Sequence, residues 1–363
     1  MTTQDILTCD QCSGELKYAP GVEALECPYC GHVNEVEVDP EEVIEELDFT
    51  EALRTAESSQ EMREAVVVRC DGCGAQVELG ANVTARDCCY CGDSLEAHEK
   101  SERRFKPRSL LPFAVTDDEA RELFRKWILS LWFAPNALKK LARVQDGLKG
   151  VYVPYWTYDC YALTDYRGQR GEHYWVTQTY TVMVDGKPQT RTKQVRKTRW
   201  YPASGRVSNS FDDVLVLASG SLPRKISRKL EPWDLHELKS FREEYLSGFV
   251  TEAYQTSLED GFGVAKGRMS PTIDQTIRRD IGGDEQRIHH RTTDYQDITF
   301  KHILLPLWLS AYRYREKVYR FFVNARTGEV QGERPWSWAK IVLLVLTIIA
   351  VGGGIAAAVN LSQ

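Results

Sequence analysis

Apolar residues recur at steps of three and four over Ala120, Leu123, Phe124, Trp127, Ile128 and Leu131, directly after Thr116-Asp117-Asp118-Glu119. That pattern predicts an amphipathic helix whose capping hydroxyl and first-turn acids meet the unpaired N–H groups at its start. A second stripe, Tyr254, Leu258, Phe262, Ala265, Met269, Ile273 and Ile277, predicts a long helix closing at Gly282-Gly283. Strand signals lie between the two. Residues 150–156 open a β-rich run, and 174–184 is dense in Tyr, Trp, Val and Thr before Asp185-Gly186. Such a dipeptide turns the chain into a returning strand, here containing 190–201. A short apolar run at 214–218 is bounded by turn residues. Leu305-Pro306-Leu307-Trp308 echoes Val153-Pro154-Tyr155-Trp156, and each begins a strand; the second runs on through 318–323 and turns at 324–330. The region 105–335 is therefore expected to be one α+β domain with an antiparallel sheet, its aromatic residues filling a sheet–helix core.

The two ends read differently. Residues 35–64 are rich in Glu, with Arg54 and Arg63 as the only bases, and form an acidic linker. Val43, Ile44 and Leu47 after Pro40 place a short amphipathic helix in it. At the other end, 341–359 reads IVLLVLTIIAVGGGIAAAV without one charge. At about 1.5 Å per residue it spans roughly 28 Å, close to a bilayer core of about 30 Å. Trp336 and Trp338 precede it as interfacial aromatics, and Arg334 and Lys340 mark that side as cytoplasmic. A single-pass transmembrane helix is expected here rather than a buried core helix, with the N-terminal region on the cytoplasmic side of the inner membrane. Residues 1–10 lack the basic start and apolar run of a signal peptide.

Ten cysteines sharpen the picture, because eight of them fall into one pattern written twice. Cys9-x-x-Cys12 is followed after fourteen residues by Cys27-x-x-Cys30, and Cys70-x-x-Cys73 after fourteen by Cys88-x-x-Cys91, the two copies 61 positions apart. Four thiolates at this spacing close a tetrahedral zinc site and leave no position for substrate. Two structural zinc ions are expected, in rubredoxin-like ribbons at 1–34 and 65–98. Iron is the alternative, disfavoured by the short interval between knuckles. Each ribbon is too small to bury a core, so metal supplies much of its folding energy. Thiolates that bind metal stay reduced, which fits the cytosol. Cys89 occupies the slot that Pro28 fills in the first copy and is read as a spare; Cys160 stands alone.

At 363 residues the chain holds two or three domains, and a net charge of −6 argues against non-specific nucleic-acid binding as its main activity. Lys187, Arg191, Lys193, Arg196, Lys197 and Arg199 on the returning strand could meet phosphates, although charges that keep an exposed strand soluble explain them as well. The seven histidines form no motif: His236-Glu237 begins a metalloprotease-like string, but Ser240 stands where its second His belongs. There is no G-x-x-x-x-G-K-[ST] phosphate loop and no G-x-S-x-G elbow. No catalytic residue, small-molecule substrate or organic cofactor is expected. The ribbons could bind protein, bind nucleic acid or rigidify the chain. Lys17, Arg69 and Arg86 sit among acids, which tilts the choice toward protein.

The two ribbons, Val151-Tyr152-Val153-Pro154-Tyr155-Trp156, the Arg199–Arg206 string RWYPASGR, Leu305-Pro306-Leu307-Trp308 and Gly332-Glu333-Arg334-Pro335-Trp336-Ser337-Trp338 give the chain a resemblance. It resembles the bacterial tail-anchored zinc-ribbon membrane proteins encoded beside phage shock protein A homologues in envelope-stress operons, often mislabelled primosomal protein N′ or superfamily II helicase. The missing phosphate loop independently rejects the helicase label. The resemblance implies a membrane-bound, non-enzymatic adaptor that recruits a phage-shock-type protein, with the lipid bilayer and a protein as partners. The alternative is a membrane-tethered nucleic-acid-binding protein.

Overall fold

The computed structural model describes residues 7–36, 42–55, 61–78, 87–95, 99–135, 147–184, 187–314 and 317–361, with the side chains of 312–318 and 353–361 outside that description. The first ribbon forms a three-stranded antiparallel sheet, β1 (Lys17–Ala19), β2 (Ala24–Glu26) and β3 (Val33–Glu35). Next come β4 (Leu47–Asp48) and helix α1 (Phe49–Thr55). The short helix expected after Pro40 thus begins later, because Leu47 is used in pairing with Phe300. The second ribbon carries β5 (Met62–Arg69) and β6 (Gln76–Glu78), and β7 (Glu99–Phe105) and β8 (Ser109–Leu110) follow.

Helix α2 (Asp117–Ser130) starts where its pattern places it. The Thr116 hydroxyl accepts from the Glu119 N–H, and the Glu119 carboxylate accepts from the Thr116 N–H. Ala120, Phe124 and Ile128 are buried on one face. Three long strands then dominate: β9 (Lys149–Val184), β10 (Lys187–Phe211) and, later, β14 (Glu285–Tyr314). Between them lie β11 (Val216–Leu217), α3 (Arg224–Leu230), β12 (Lys239–Ser240), β13 (Val250–Glu252) and α4 (Leu258–Ile281). Ser257 caps α4, and Gly282, at φ 65°, ends it in a conformation that costs a residue without Cβ little. The chain closes with β15 (Lys317–Asn324), β16 (Val330–Gly332) and α5 (Trp338–Leu361).

All strands from β4 onward join one 13-stranded sheet, mostly antiparallel, with β13–β9 and β14–β8 parallel. The two Pro-x-Trp segments are direct neighbours in it: Leu304 faces Pro154, Leu305 faces Val153 and Leu307 faces Val151. The second one does not begin a strand but lies inside β14.

Side chains alternate between faces along a strand, and here both faces are covered. Odd positions Val151, Val153, Tyr155, Ile303, Leu305 and Leu307 pack with Cys70, Val77, Cys88 and Tyr90 of the second ribbon and with Leu230 of α3. Even positions Tyr152, Leu304 and Trp308 pack with Cys9, Leu16, Tyr18 and Cys27 of the first ribbon and with α2. Further along, Trp156, Tyr158, Cys160 and Phe300 pack under α1 and α4. The ribbons therefore clamp opposite faces of the β9–β14 pair. Ring stacking adds rigidity: Phe113 lies on Phe249 at 4.0 Å and Phe124 on Phe321 at 3.5 Å between centroids.

β14 pairs with β9 only as far as Glu285 opposite Gly171, whereas β10 follows β9 to Lys187 opposite Val184. Beyond Gly171 the sheet is thus a two-stranded arm. At about 3.3 Å per residue it reaches roughly 40 Å from the covered sheet.

The expectation of a transmembrane helix over 341–359, and with it a single-pass inner-membrane location, is overturned. The segment is helical, but among the described residues no helix is long and apolar enough to cross a membrane. The start of α5 is tied to the end of α2, where the Lys340 ammonium donates to the Trp132 and Ala134 carbonyls at 3.1 and 2.8 Å. The two ribbons stand as four-cysteine modules, but they are built onto a mostly β platform, and no membrane-spanning helix follows it among the described residues.

Candidate metal centres

Four knuckles share one backbone geometry. The carbonyls of Cys9, Cys27, Cys70 and Cys88 accept from the N–H groups of Ser13, Gly31, Gly74 and Gly92 at 2.8–2.9 Å. Their own N–H groups donate to Gly14, His32, Ala75 and Asp93. The residue closing each loop has positive φ, from 57° at Ser13 to 80° at Gly92. Glycine adopts that conformation without strain, so glycine follows the second cysteine of three knuckles. In this turn both cysteine side chains point to one side.

The turns bring all eight predicted ligands into two groups. In each, the sulfurs lie within 4.8 Å of one another: Cys9, Cys12, Cys27 and Cys30, and Cys70, Cys73, Cys88 and Cys91. Cys9–Cys30 and Cys12–Cys27 stand at 3.6 and 3.4 Å; Cys70–Cys91 and Cys73–Cys88 stand at 3.5 and 3.6 Å. A tetrahedron with metal–sulfur bonds of about 2.3 Å has edges of about 3.8 Å. Both sets therefore fit one metal ion each with no ligand to spare. All ten cysteines are free thiols, as metal ligation requires.

Each quartet holds one thiol set to ionise early. Burial raises Cys27, but the N–H groups of Cys30 and Tyr29 outweigh it and bring the thiol to about 7. Cys88 falls to about 4, chiefly through a hydrogen bond from the Cys89 thiol, helped by the Tyr90 and Cys91 N–H groups. Burial, in turn, pushes Cys73 up to about 12. Thiolates are the metal-binding form, so the lowered values of Cys27 and Cys88 favour ligation. Cys89, expected to be a spare, is buried beside its neighbour and supports that thiolate without joining the four.

The centres are wired to the platform by polar contacts that no local pattern announces. In the second ribbon, the Tyr90 hydroxyl donates to Glu252 of β13 at 2.5 Å, and Ser219 donates to the other carboxylate oxygen at 2.7 Å. Burial raises Glu252 to about 6, against its hydrogen bonds. In the first, the Ser247 hydroxyl donates to the Leu16 carbonyl at 2.6 Å and the Tyr18 N–H to the Ser247 carbonyl at 3.1 Å.

Tyr90→Phe should destabilise the fold by about 1.5–3 kcal/mol at pH 8, the cost of a hydrogen bond to a charged group. Glu252's folded value is raised, so its contribution is complete below the unfolded value near 4.5 and is lost as pH rises through about 6. Losing the Tyr90 donor raises that value further. Urea denaturation should therefore show a larger defect at pH 8 than at pH 5; an equal defect would remove Glu252 from the explanation.

Other clusters are structural. Glu46, Asp159 and Asp212 gather within 4.8 Å, but the Lys301 ammonium pairs with Glu46 and Asp213 at 2.9 Å each and supplies the positive charge there. His302 is buried against Trp156, donates its Nδ1–H to the Phe105 carbonyl, and is pushed down to about 3 by burial. The Cys160 thiol faces the Met269 sulfur at 3.7 Å inside the core. An open cleft of about 590 Å³ lies at the base of the arm, lined by Tyr166, Arg170, Tyr201 and Asp280, with the Tyr166 hydroxyl donating to Asp280 at 2.5 Å.

The sequence has a relative. The chain is similar, almost end to end, to YdjG of Bacillus subtilis. The two are 25% identical over 360 residues, covering 95% of this chain and 98% of YdjG, which is described as an uncharacterized protein. No family model matches, and no solved structure matches.

Proposed function

We propose that the chain is a non-enzymatic adaptor in which two structural zinc ions stiffen a platform that presents a projecting arm to a protein partner. One observation carries this reading: both four-thiolate centres clamp opposite faces of the β9–β14 pair, and β9 runs on from that pair into the arm. Closed centres offer no open coordination position for chemistry, whereas rigid support for a long lever is what docking needs. Zinc is the metal favoured by four thiolates in a tetrahedral set, with iron as the competitor. The family resemblance points to a phage-shock-type envelope-stress protein as partner.

Metal analysis of the purified full chain should find two zinc ions per chain; visible thiolate–iron absorption in place of zinc would reject the metal assignment. The tagged chain should retain a phage shock protein A homologue in a binding assay and lose it after the metals are stripped. Retention no better than by the tag alone would reject the adaptor.

A second reading rests on the cations of β10, which could track a nucleic-acid backbone. It requires affinity for DNA or RNA that falls steeply with salt.

A further inference from the structure

Past Gly171, where β14 stops, β9 is an edge strand on its outer side. Asp284 closes the first step, accepting from the His173 N–H at 2.7 Å. From Tyr174 to Val184 no strand pairs with that edge among the described residues. The exposed segment reads YWVTQTYTVMV, with no charge, no proline and no glycine. Edge strands are normally guarded by inward charges, prolines, bulges or brevity. Here none of these guards is present, and Trp175 and Met183 are 66% and 69% exposed. An unguarded edge of this length is a template for another strand.

The neighbouring strand sets the charge of what can pair. Residues 173–199 carry six Lys or Arg and one Asp, in a chain of net −6. By register, Lys197 lies opposite Tyr174 and Arg191 opposite Tyr180, so Lys187, Arg191, Lys193, Lys197 and Arg199 share one face with those tyrosines. The cations lean across β9 toward the open edge: Lys193 lies 5.5 Å over the Tyr180 ring and Arg199 5.0 Å over that of Tyr174. A strand added to β9 would lie under this fringe of charge. Acidic side chains at every second position would meet it, and basic ones would be repelled.

We infer that the open edge of β9 at 174–184 takes an acidic, extended segment of a partner protein as an added strand. This rests on the adaptor reading and names the chemistry of its partner. A second copy of the arm is disfavoured, since it would bring two strongly basic hairpins together. Nucleic acid could use the cations but has no use for an open row of backbone N–H and C=O groups.

The test uses the full chain and a fluorescein-labelled peptide alternating Glu with Val, long enough to cover 174–184, read by anisotropy. Saturable binding is expected, at least about tenfold tighter than for the same peptide with Lys in place of Glu. Binding should be lost in a chain whose arm is shortened by joining Glu172 to Arg199 through Asn-Gly, verified to keep both metals. The double variant Lys193→Glu/Lys197→Glu, which leaves the edge intact, should lose the preference for acid. A peptide N-methylated throughout keeps its charge but cannot pair, and should not bind. Equal binding of the N-methylated peptide, displacement by an oligonucleotide of equal charge at lower concentration, or arm-dependent dimerisation of the free chain would each overturn the inference. If the arm-shortened chain still retains the phage-shock-type partner, the adaptor stands and the strand-addition site falls. If the peptide binds but no such partner is retained, the reverse holds.

Discussion

Replacing Cys88 by Ser is expected to release one of two metal ions and to unfold far more than the second ribbon. The physical reason is where that ribbon is built in. Its strand β6 pairs with β13, which runs beside β9, and β5 bridges β6 to β7. Cys70, Cys88 and Tyr90 also fill the odd face of the central strands. A structural zinc site contributes an apparent free energy of about 10–16 kcal/mol, as large as the whole net stability of about 5–15 kcal/mol typical of a domain. Hydrogen exchange should therefore accelerate by orders of magnitude at Val67, Val68, Val77 and Glu252, and spread into β9. Cys12→Ser is the control within the same molecule. The first ribbon keeps its own three-stranded sheet and meets the platform through side-chain packing and the Ser247 contacts. Its loss should speed exchange in β1–β3 and leave β13 protected. If both variants loosen β13 equally, or neither does, the second ribbon is not the structural keystone assigned to it.

What could be read in the chain beforehand follows from sequence distance. The quartets were legible because knuckle geometry is local: two cysteines, a glycine at positive φ, and one turn. Helix α2 was legible through Thr116 and Glu119, and the β9–β10 hairpin through Asp185-Gly186, again by neighbours in sequence. The Pro-x-Trp echo was visible but its meaning was not, since Leu305 meets Val153 across more than half of the domain. The same holds for Tyr90 with Glu252, 162 residues apart. Helix α4 begins at Leu258, four residues after Tyr254, because Ser257 caps it and Tyr254 instead packs on Trp156. The apolar terminus was misread by a rule that counts composition alone. Cys89 was missed as a support for Cys88 because position next to a ligand, in sequence, says nothing about where the thiol points.

Lys301→Ala should damage the fold well away from the metal centres. The ammonium is 9% exposed and pairs at 2.9 Å with both Glu46, 34% exposed, and Asp213, 30% exposed. Asp159 stands in the same group, accepting from the Asp213 N–H, while Thr299 donates to Glu46 at 2.6 Å and to Asp159 at 3.3 Å. Removing one partner of an enclosed pair costs about 3–5 kcal/mol; solvent reaches two of these carboxylates, so about 2–3 kcal/mol is expected. The pH dependence identifies the cause. Asp159 is raised to about 7, first by burial and then by its hydrogen bond with Glu46, so its contribution is complete at low pH and is lost as pH rises through about 7. Glu46 goes the other way: Asp159, Thr299 and Lys301 overcome its burial and hold it near 2, a contribution present above about 4.5 and lost only in strong acid. Between pH 5 and pH 8, then, Asp159 and not Glu46 changes the balance around Lys301. Without the ammonium its value climbs further, so the defect in urea denaturation should grow from pH 5 to pH 8. Lys301→Met, which keeps the length of the stem, should show the same growth. A defect independent of pH would mean that Lys301 acts through packing, not through its charge.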